Sequence, residues 1–247
     1  MLLYYITDRK AFAGTEAQQR AAVLRRIAEA AQAGVDYIQL REKDLPAREL
    51  EGLAREALRA VRDHGSAKLL INGRADIALA CGADGVHLPS RELPAAEVRA
   101  LWSKCAAGAA ASPGVGVAGV ESTRSLASFD VGVVATIDRG PLIGVSAHSP
   151  ADLCEAEAQG ADFAVLAPIF EKAQFSVKGI GLQALREACS AVQAQRGDSS
   201  RFAVLALGGV NLGNARACLQ AGAAGIAGIR LFQNGDISET VRRLRRT

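Results

Sequence analysis

AGVDYIQL occupies residues 33–40 of a 247-residue chain, and it returns in altered form as CGADGVHL (81–88), QGADFAVL (159–166) and AGAAGIAG (221–228). Each copy closes an Ala-rich segment with a glycine (Gly34, Gly82, Gly160, Gly222) and then enters a short apolar run, with Asp between the two in three of the four. A glycine that ends an amphipathic segment reads as a left-handed helix cap, and the run after it as a buried strand. Four further strand candidates alternate with these copies: Leu2–Thr7, Lys68–Asn72, Leu142–Ser146 and Phe202–Leu207. Helical patterns follow the eight strands in turn, over about 15–33, 46–64, 74–81, 94–102, 149–159, 182–194, 211–221 and 235–246.

Strict alternation of strand and helix, eight times over, predicts an α/β chain: a (β/α)8 TIM barrel forming a single domain over residues 1–247. A doubly wound sheet is the structural alternative. It would need phosphate-binding glycines after the first strand, where this chain has Thr7-Asp8-Arg9. A G-x-G-x-x-G string does occur at Gly114, Gly116 and Gly119, but it follows Ala-Ala-Ala-Ser-Pro rather than a strand, so it is not a dinucleotide site. It belongs to an irregular insertion at about 103–141, rich in Gly, Ala and Ser. The repeat glycines stand 48 residues apart from Gly34 to Gly82 but 78 apart from Gly82 to Gly160, which leaves about 30 residues inserted. Val131–Ile137 within it is a candidate extra strand.

Composition agrees with buried parallel strands: 49% of residues are hydrophobic and only 4% aromatic, so the core is aliphatic. The net charge of +3 is dispersed, apart from Arg242, Arg243, Arg245 and Arg246. With no aromatic residues between them, those arginines read as a solvated last turn that complements the helix dipole, not as a nucleic-acid contact. The five cysteines (81, 105, 154, 189, 218) are odd in number and form no C-x-x-C pair; they read as small buried hydrophobes in a reducing cytoplasm. Met1–Ile6 is too short for a signal segment, and no apolar run approaches the length of a membrane span.

In such a barrel the ligand sits at the C-terminal ends of the strands. Those ends read Thr7-Asp8, Gln39/Arg41/Lys43, Asn72-Gly73, Pro89-Ser90, Ser146-Ala147-His148, Ala167-Pro168, Gly208-Gly209 and Gly228. Arg41 and Lys43 share a face if the chain stays extended. Gly208-Gly209 precedes a helix expected near Asn211, and Gly228 closes the eighth strand. Bare N–H groups at these two ends predict a phosphate grip, with tight turns as the plainer reading of the same glycines. His87 falls mid-strand and reads as a barrel-core histidine. Neither His64 nor His148 has a nucleophile or metal-ligand partner at a recognised spacing.

YITDRK (5–10), IQLREKD (38–44), INGRADIALACGADGVHL (71–88), LIGVSAHS (142–149), GADFAVLAPIF (160–170), LALGGVN (205–211) and AGAAGIAGIRLF (221–232) together resemble the thiamine phosphate synthase / TenI superfamily. The resemblance implies joining of hydroxymethylpyrimidine diphosphate to thiazole phosphate, with diphosphate leaving under Mg2+ assistance. It implies a diphosphate side made of Arg41, Lys43, Asn72 and Ser146, with Gln39 in the same pocket. Gly208, Gly209, Gly228 and Ile229 match the thiazole-phosphate grip. The family's first Mg2+ carboxylate is replaced by Gly73, and its H-L-G-Q-x-D reads HLPSRE, leaving Glu92 as the substitute. Its Lys-bearing loop after the sixth strand reads EKAQFSVKGIG (171–181), with Lys172 and Lys178 as stand-ins. N-G-R and H-L-P-S are similar to the TenI tautomerases instead, whose proton-transferring His stands where this chain has Pro168. The expectations are therefore a cytoplasmic synthase with a weakened Mg2+ site, acting on small phosphorylated substrates and touching neither nucleic acid nor membrane. A thiazole tautomerase and a non-catalytic binder of thiamine intermediates are the alternatives, and a homo-oligomer is left open.

Overall fold

The computed structural model describes residues 1–90, 92–110, 140–171, 178–195 and 202–247, with 106–110 described by backbone alone. Its strands are β1 (Leu2–Ile6), β2 (Tyr37–Leu40), β3 (Lys68–Asn72), β4 (Gly85–Leu88), β5 (Leu142–Ala147), β6 (Phe163–Leu166), β7 (Ala203–Ala206) and β8 (Gly225–Gly228). They pair in sequence order, all parallel, and β8 pairs back onto β1 to close the barrel. Helices α1 (Glu16–Gln32), α2 (Ala47–His64), α3 (Ala75–Cys81), α4 (Ala95–Ala110), α5 (Pro150–Ala158), α6 (Gly181–Gln195), α7 (Ala215–Gln220), α8 (Arg230–Gln233) and α9 (Ile237–Arg245) lie outside.

The repeat read from the sequence has a physical basis at the bottom of this barrel. Gly34, Gly82, Gly160 and Gly222 all hold φ between 69° and 103°, the left-handed range that glycine adopts without a Cβ clash. The Asp two residues on then serves the neighbouring strand. Asp36 accepts from Leu3 N–H at 2.7 Å, Asp84 from Leu69 N–H at 2.9 Å, and Asp162 from Ile143 N–H at 2.7 Å. Each carboxylate therefore satisfies a backbone donor on the preceding strand. A cation backs each one: Arg245 on Asp36, Lys68 on Asp84 and Arg99 on Asp162. Arg245 also donates to Met1 O and Gly34 O, so this residue of the C-terminal basic run ties α9 to the barrel floor and is not simply solvated.

Strand alternation divides the core into two clusters. Tyr4, Ile6, Leu70, Phe163, Val165, Leu205 and Ala227 fill the barrel interior. The opposite faces of the strands pack against the helices, for example Leu3, Ile38, Leu69 and Ile143 with Val23, Leu53 and Leu185.

Three expectations need correction. Helix α4 runs to Ala110, so residues 103–110 are helical rather than irregular. The remaining readings inside the insertion, the glycine string and the strand at 131–137, lie outside the described residues. After β7 the chain makes a turn at 212–214, and α7 begins only at Ala215, four residues later than expected. Among the cysteines, 81, 189 and 218 are buried, but Cys154 is half-buried and Cys105 exposed.

Candidate active site

Alternation along β2, β3, β4 and β5 turns Gln39, Asn72, His87 and Ser146 toward the barrel axis. Register confirms the parity, with Asn72 beside His87 and His87 beside Gly144. Gln39 is 1% exposed and its amide Nε2 donates to Tyr4 Oη at 2.8 Å. Tyr4 Oη lies 3.2 Å from His87 Nδ1, and His87 Nε2 lies 3.0 Å from Ser146 Oγ. One polar line thus crosses the interior from β2 through β1 and β4 to β5. His87 is a core histidine as expected, but it also reaches Ser146 at the mouth. Burial, and next the Arg41 charge, lower its pKa to about 3, so the imidazole is neutral at pH 7.

Arg41 continues the inward parity of Gln39 just past β2 and is half-buried. Lys43 opens the turn at 43–45, so the extended alternation that paired it with Arg41 stops there; it is exposed. The residue between them faces the other way. Glu42 is 4% exposed and accepts from Thr7 Oγ1 at 2.7 Å, from Arg9 N–H at 3.1 Å and from Arg9 Nη1 at 3.3 Å. Thr7 Oγ1 in turn accepts from Arg41 N–H at 3.0 Å. Arg9, 2% exposed, also grips Asp44 through two 2.7 Å bonds and holds that carboxyl well below its usual range. Burial pushes the Glu42 carboxyl up, against the hydrogen bonds it receives. This charged knot anchors the β1 and β2 ends to each other behind Arg41. The sequence reading missed it, although R-E-K after a strand signals one charge facing backward.

Across the mouth, Gly208 and Gly209 hold φ of 98° and 66°. A Cβ on Gly208 would stand 2.8 Å from Pro168 Cα, and one on Gly209 2.7 Å from Phe170 Cβ. The turn and its packing against the β6 end therefore require both glycines. No helix starts directly after them; Asn214, the N-cap of α7, reaches back to Gly209 O at 3.0 Å. Gly228 closes β8, and Ile229 packs on the interior cluster and caps α8, a turn of helix the sequence reading did not anticipate.

Gly73 has φ of 66° and donates its N–H to His87 O at 2.8 Å. Glu92 Oε2 lies 3.6 Å from where a Cβ on Gly73 would stand. Glu92 and Ser146 share a cleft of about 270 Å³ with Pro89, Ser90 and Asp152. Among the described residues no group of three or more His, Cys, Asp or Glu could hold a metal ion. Of the carboxylates lining that cleft, Asp152 already accepts from the N–H groups of His148 and Ser149, and Glu92 is the one near Gly73; such a set would suit a Mg2+ that arrives with a diphosphate and keeps its waters, rather than one caged by the protein. Lys172 lies outside the described residues, and Lys178 is exposed.

The family model for thiamine monophosphate synthase matches residues 3–123 and 126–232. The chain belongs to the thiamine monophosphate synthase family. It is 33% identical over 217 residues to the thiamine-phosphate synthase of Moorella thermoacetica, covering 86% of this chain and 81% of that protein. It is 32% identical over 219 residues to the thiamine-phosphate synthase of Methanoculleus marisnigri, with 87% and 83% covered. Among solved structures, thiamine phosphate pyrophosphorylase from Pyrococcus furiosus superposes with a TM-score of 0.68 at 26% identity, over 99% of this chain and 94% of that one.

Proposed function

We propose that this chain is a thiamine-phosphate synthase, joining hydroxymethylpyrimidine diphosphate to thiazole phosphate with release of diphosphate. The observation that supports the reading is that Gln39, Arg41, Asn72 and Ser146 stand at or just past the C-terminal ends of β2, β3 and β5 in one closed barrel. It occurs in a chain that resembles such synthases over more than four fifths of its length. In the reaction the thiazole nitrogen bonds to the pyrimidine methylene carbon as the carbon–oxygen bond to diphosphate breaks. That nitrogen carries no proton, so no base is needed; His87, the buried histidine of the interior, is made a weak base by burial and is bonded at both nitrogens.

What the site must do is receive charge on the leaving diphosphate and keep water from the methylene carbon while its bond to oxygen breaks. Arg41 and Lys43 would offset that charge, and Asn72 and Ser146 would donate hydrogen bonds to it. Gln39 would line the pyrimidine side. The backbone of Gly208, Gly209, Gly228 and Ile229 would receive the thiazole phosphate. Glu92 is the residue that would hold Mg2+, which when bound neutralises part of the leaving charge. A tautomerase would need a proton-transferring side chain where this chain has Pro168, and that disfavours the alternative. No helix among the described residues is long and apolar enough to cross a membrane; we take the enzyme to be cytoplasmic and its partners to be these small phosphorylated substrates.

The test is to incubate the purified protein with both substrates and a Mg2+ series, measuring thiamine phosphate and diphosphate. Equal release of the two products is expected. A folded protein that yields neither at any Mg2+ concentration refutes the reading. Exchange of the thiazole carboxylate tautomer under the same conditions would establish the tautomerase instead.

A further inference from the structure

The polar line Gln39–Tyr4–His87–Ser146 has a direction, because each buried hydrogen must find an acceptor. Tyr4 is 0% exposed and His87 3%, so solvent cannot complete their bonds. Gln39 Nε2 is a donor, and its hydrogen takes one acceptor site of Tyr4 Oη. The phenol's own hydrogen then needs a partner, and among the described residues His87 Nδ1 is the acceptor in reach, at 3.2 Å. Burial raises the Tyr4 phenol well above its ordinary pKa, so that hydrogen is present at neutral pH. A neutral imidazole that accepts at Nδ1 carries its hydrogen at Nε2. The opposite tautomer would aim two donors at Tyr4 Oη and strand the phenol hydrogen, a buried donor without a partner.

The ring has no freedom to escape this choice. It sits 5.7 Å from the Tyr4 ring and 6.1 Å from the Phe163 ring, centre to centre. Its strand neighbour is Gly144, where a Cβ would come within 2.8 Å of Nδ1. The space for the imidazole exists because that neighbour has no side chain.

We propose that Tyr4 is a positioning residue: it holds His87 as the Nε2–H tautomer, so that Ser146 accepts from His87 and turns its own hydroxyl hydrogen into the mouth as a donor to an anionic oxygen. Ser146 is half-buried near the C-terminal end of β5, so its hydroxyl has room for a partner other than His87. The serine is thereby a fixed donor, not a nucleophile or a base. The ligand half of this inference rests on the synthase reading, since the anion it serves would be the leaving diphosphate. The tautomer half does not.

The protein contains its own controls. His64 Nδ1 lies 2.9 Å from Ala60 O, and His148 Nδ1 lies 2.8 Å from Ala167 O. A carbonyl only accepts, so both of those rings carry hydrogen at Nδ1 when neutral. Nitrogen NMR of histidine-labelled full-length protein at about pH 8, above the ordinary histidine pKa near 6.5, reads all three rings. His87, assigned by loss of its signals in His87→Gln, should be the Nε2–H form, opposite to the other two. Binding of inorganic diphosphate, measured calorimetrically, gives the second readout. Ser146→Ala should weaken it roughly tenfold, the scale of one charge-assisted hydrogen bond. Tyr4→Phe should weaken it several-fold in the wild type and not at all in the Ser146→Ala background. An Nδ1–H form of His87 overturns the inference and leaves the synthase reading standing. Additive losses in the double variant would show that Tyr4 acts by another route. A wild type with the Nε2–H form that does not bind diphosphate refutes the anion-facing half together with the synthase reading.

Discussion

Gly73→Asp supplies the carboxylate that the family resemblance implies at this position, and the local geometry sets both its cost and its gain. The backbone there holds φ of 66°, where a residue with a Cβ is strained by roughly 1–2 kcal/mol and Asp is among the better tolerated. Space is not the obstacle. The nearest atoms to the new Cβ would be Glu92 Oε2 at 3.6 Å and the Pro89 ring at 3.7 Å, ordinary contacts. Without metal the new carboxylate adds repulsion from Glu92. A loss of about 1 kcal/mol lowers Tm by about 2–4 °C in a chain of this size. With diphosphate and Mg2+ present the same pair becomes a two-carboxylate site, which Mg2+ accepts readily alongside phosphate and water oxygens. A second ligand that strengthens binding by about 1.4 kcal/mol lowers half-saturating Mg2+ about tenfold. The assay is twofold: turnover against Mg2+ for both proteins, and Tm with and without Mg2+ plus diphosphate. The variant should melt lower without metal, gain more Tm from metal and diphosphate, and saturate at lower Mg2+. An unchanged Mg2+ requirement, with a Tm that falls equally in both conditions, would show that position 73 plays no part in holding the metal.

Lys43→Ala should leave Tm within about 1 °C, because an exposed side chain with no ion pair among the described residues contributes little to stability. It should weaken diphosphate binding by about 1.5–3 kcal/mol if it grips the leaving group, and unchanged affinity in a calorimetric titration would count against that role. Glu42→Gln removes the charge that pairs with buried Arg9 and turns the oxygen that accepts from Arg9 N–H and Nη1 into a donor, leaving one oxygen to serve Thr7 Oγ1. Denaturant unfolding should show a loss of about 3 kcal/mol, and the displaced Arg41 should raise KM for the diphosphate substrate; a neutral effect on both would mean the knot positions nothing. The neutral state of His87 makes stability pH-dependent. Its pKa is about 3 when folded and about 6.5 when unfolded, so stability is complete above pH 6.5. It falls by up to about 1.4 kcal/mol per unit as pH drops from 6.5 toward 3, as the unfolded chain takes up the proton. Comparing the acid limb of chemical unfolding in wild type and His87→Gln, which lacks the titrating ring, checks this: a wild-type limb no steeper than the variant's would exclude it.

Local patterns carried most of the architecture. Gly34, Gly82, Gly160 and Gly222 mark helix ends because only glycine enters the left-handed turn at no cost, and that demand is met within a few residues of chain. Strand ends are equally local, which is why Gln39, Asn72 and Ser146 could be placed at the barrel mouth from the sequence, while their roles came from the family resemblance. Parity has no hold on Lys43, where a turn begins, and the helix expected near Asn211 starts later because Asn211 and Asn214 stabilise a turn instead. Other features needed the closed barrel. The Asp of each repeat copy was visible, but its partner on the preceding strand was not: Asp36 reaches Leu3 across 33 residues. His87 looked like a core residue, yet it meets Tyr4 across 83 residues and Ser146 across 59. Glu92 faces Gly73 because two separate loops turn over the same strand ends. Sequence alone could settle what one turn or one strand demands of its own residues, since those energies depend on neighbours along the chain. Which side chains meet across the axis depends on the stagger and closure of eight strands, and that is decided by packing the whole sheet at once.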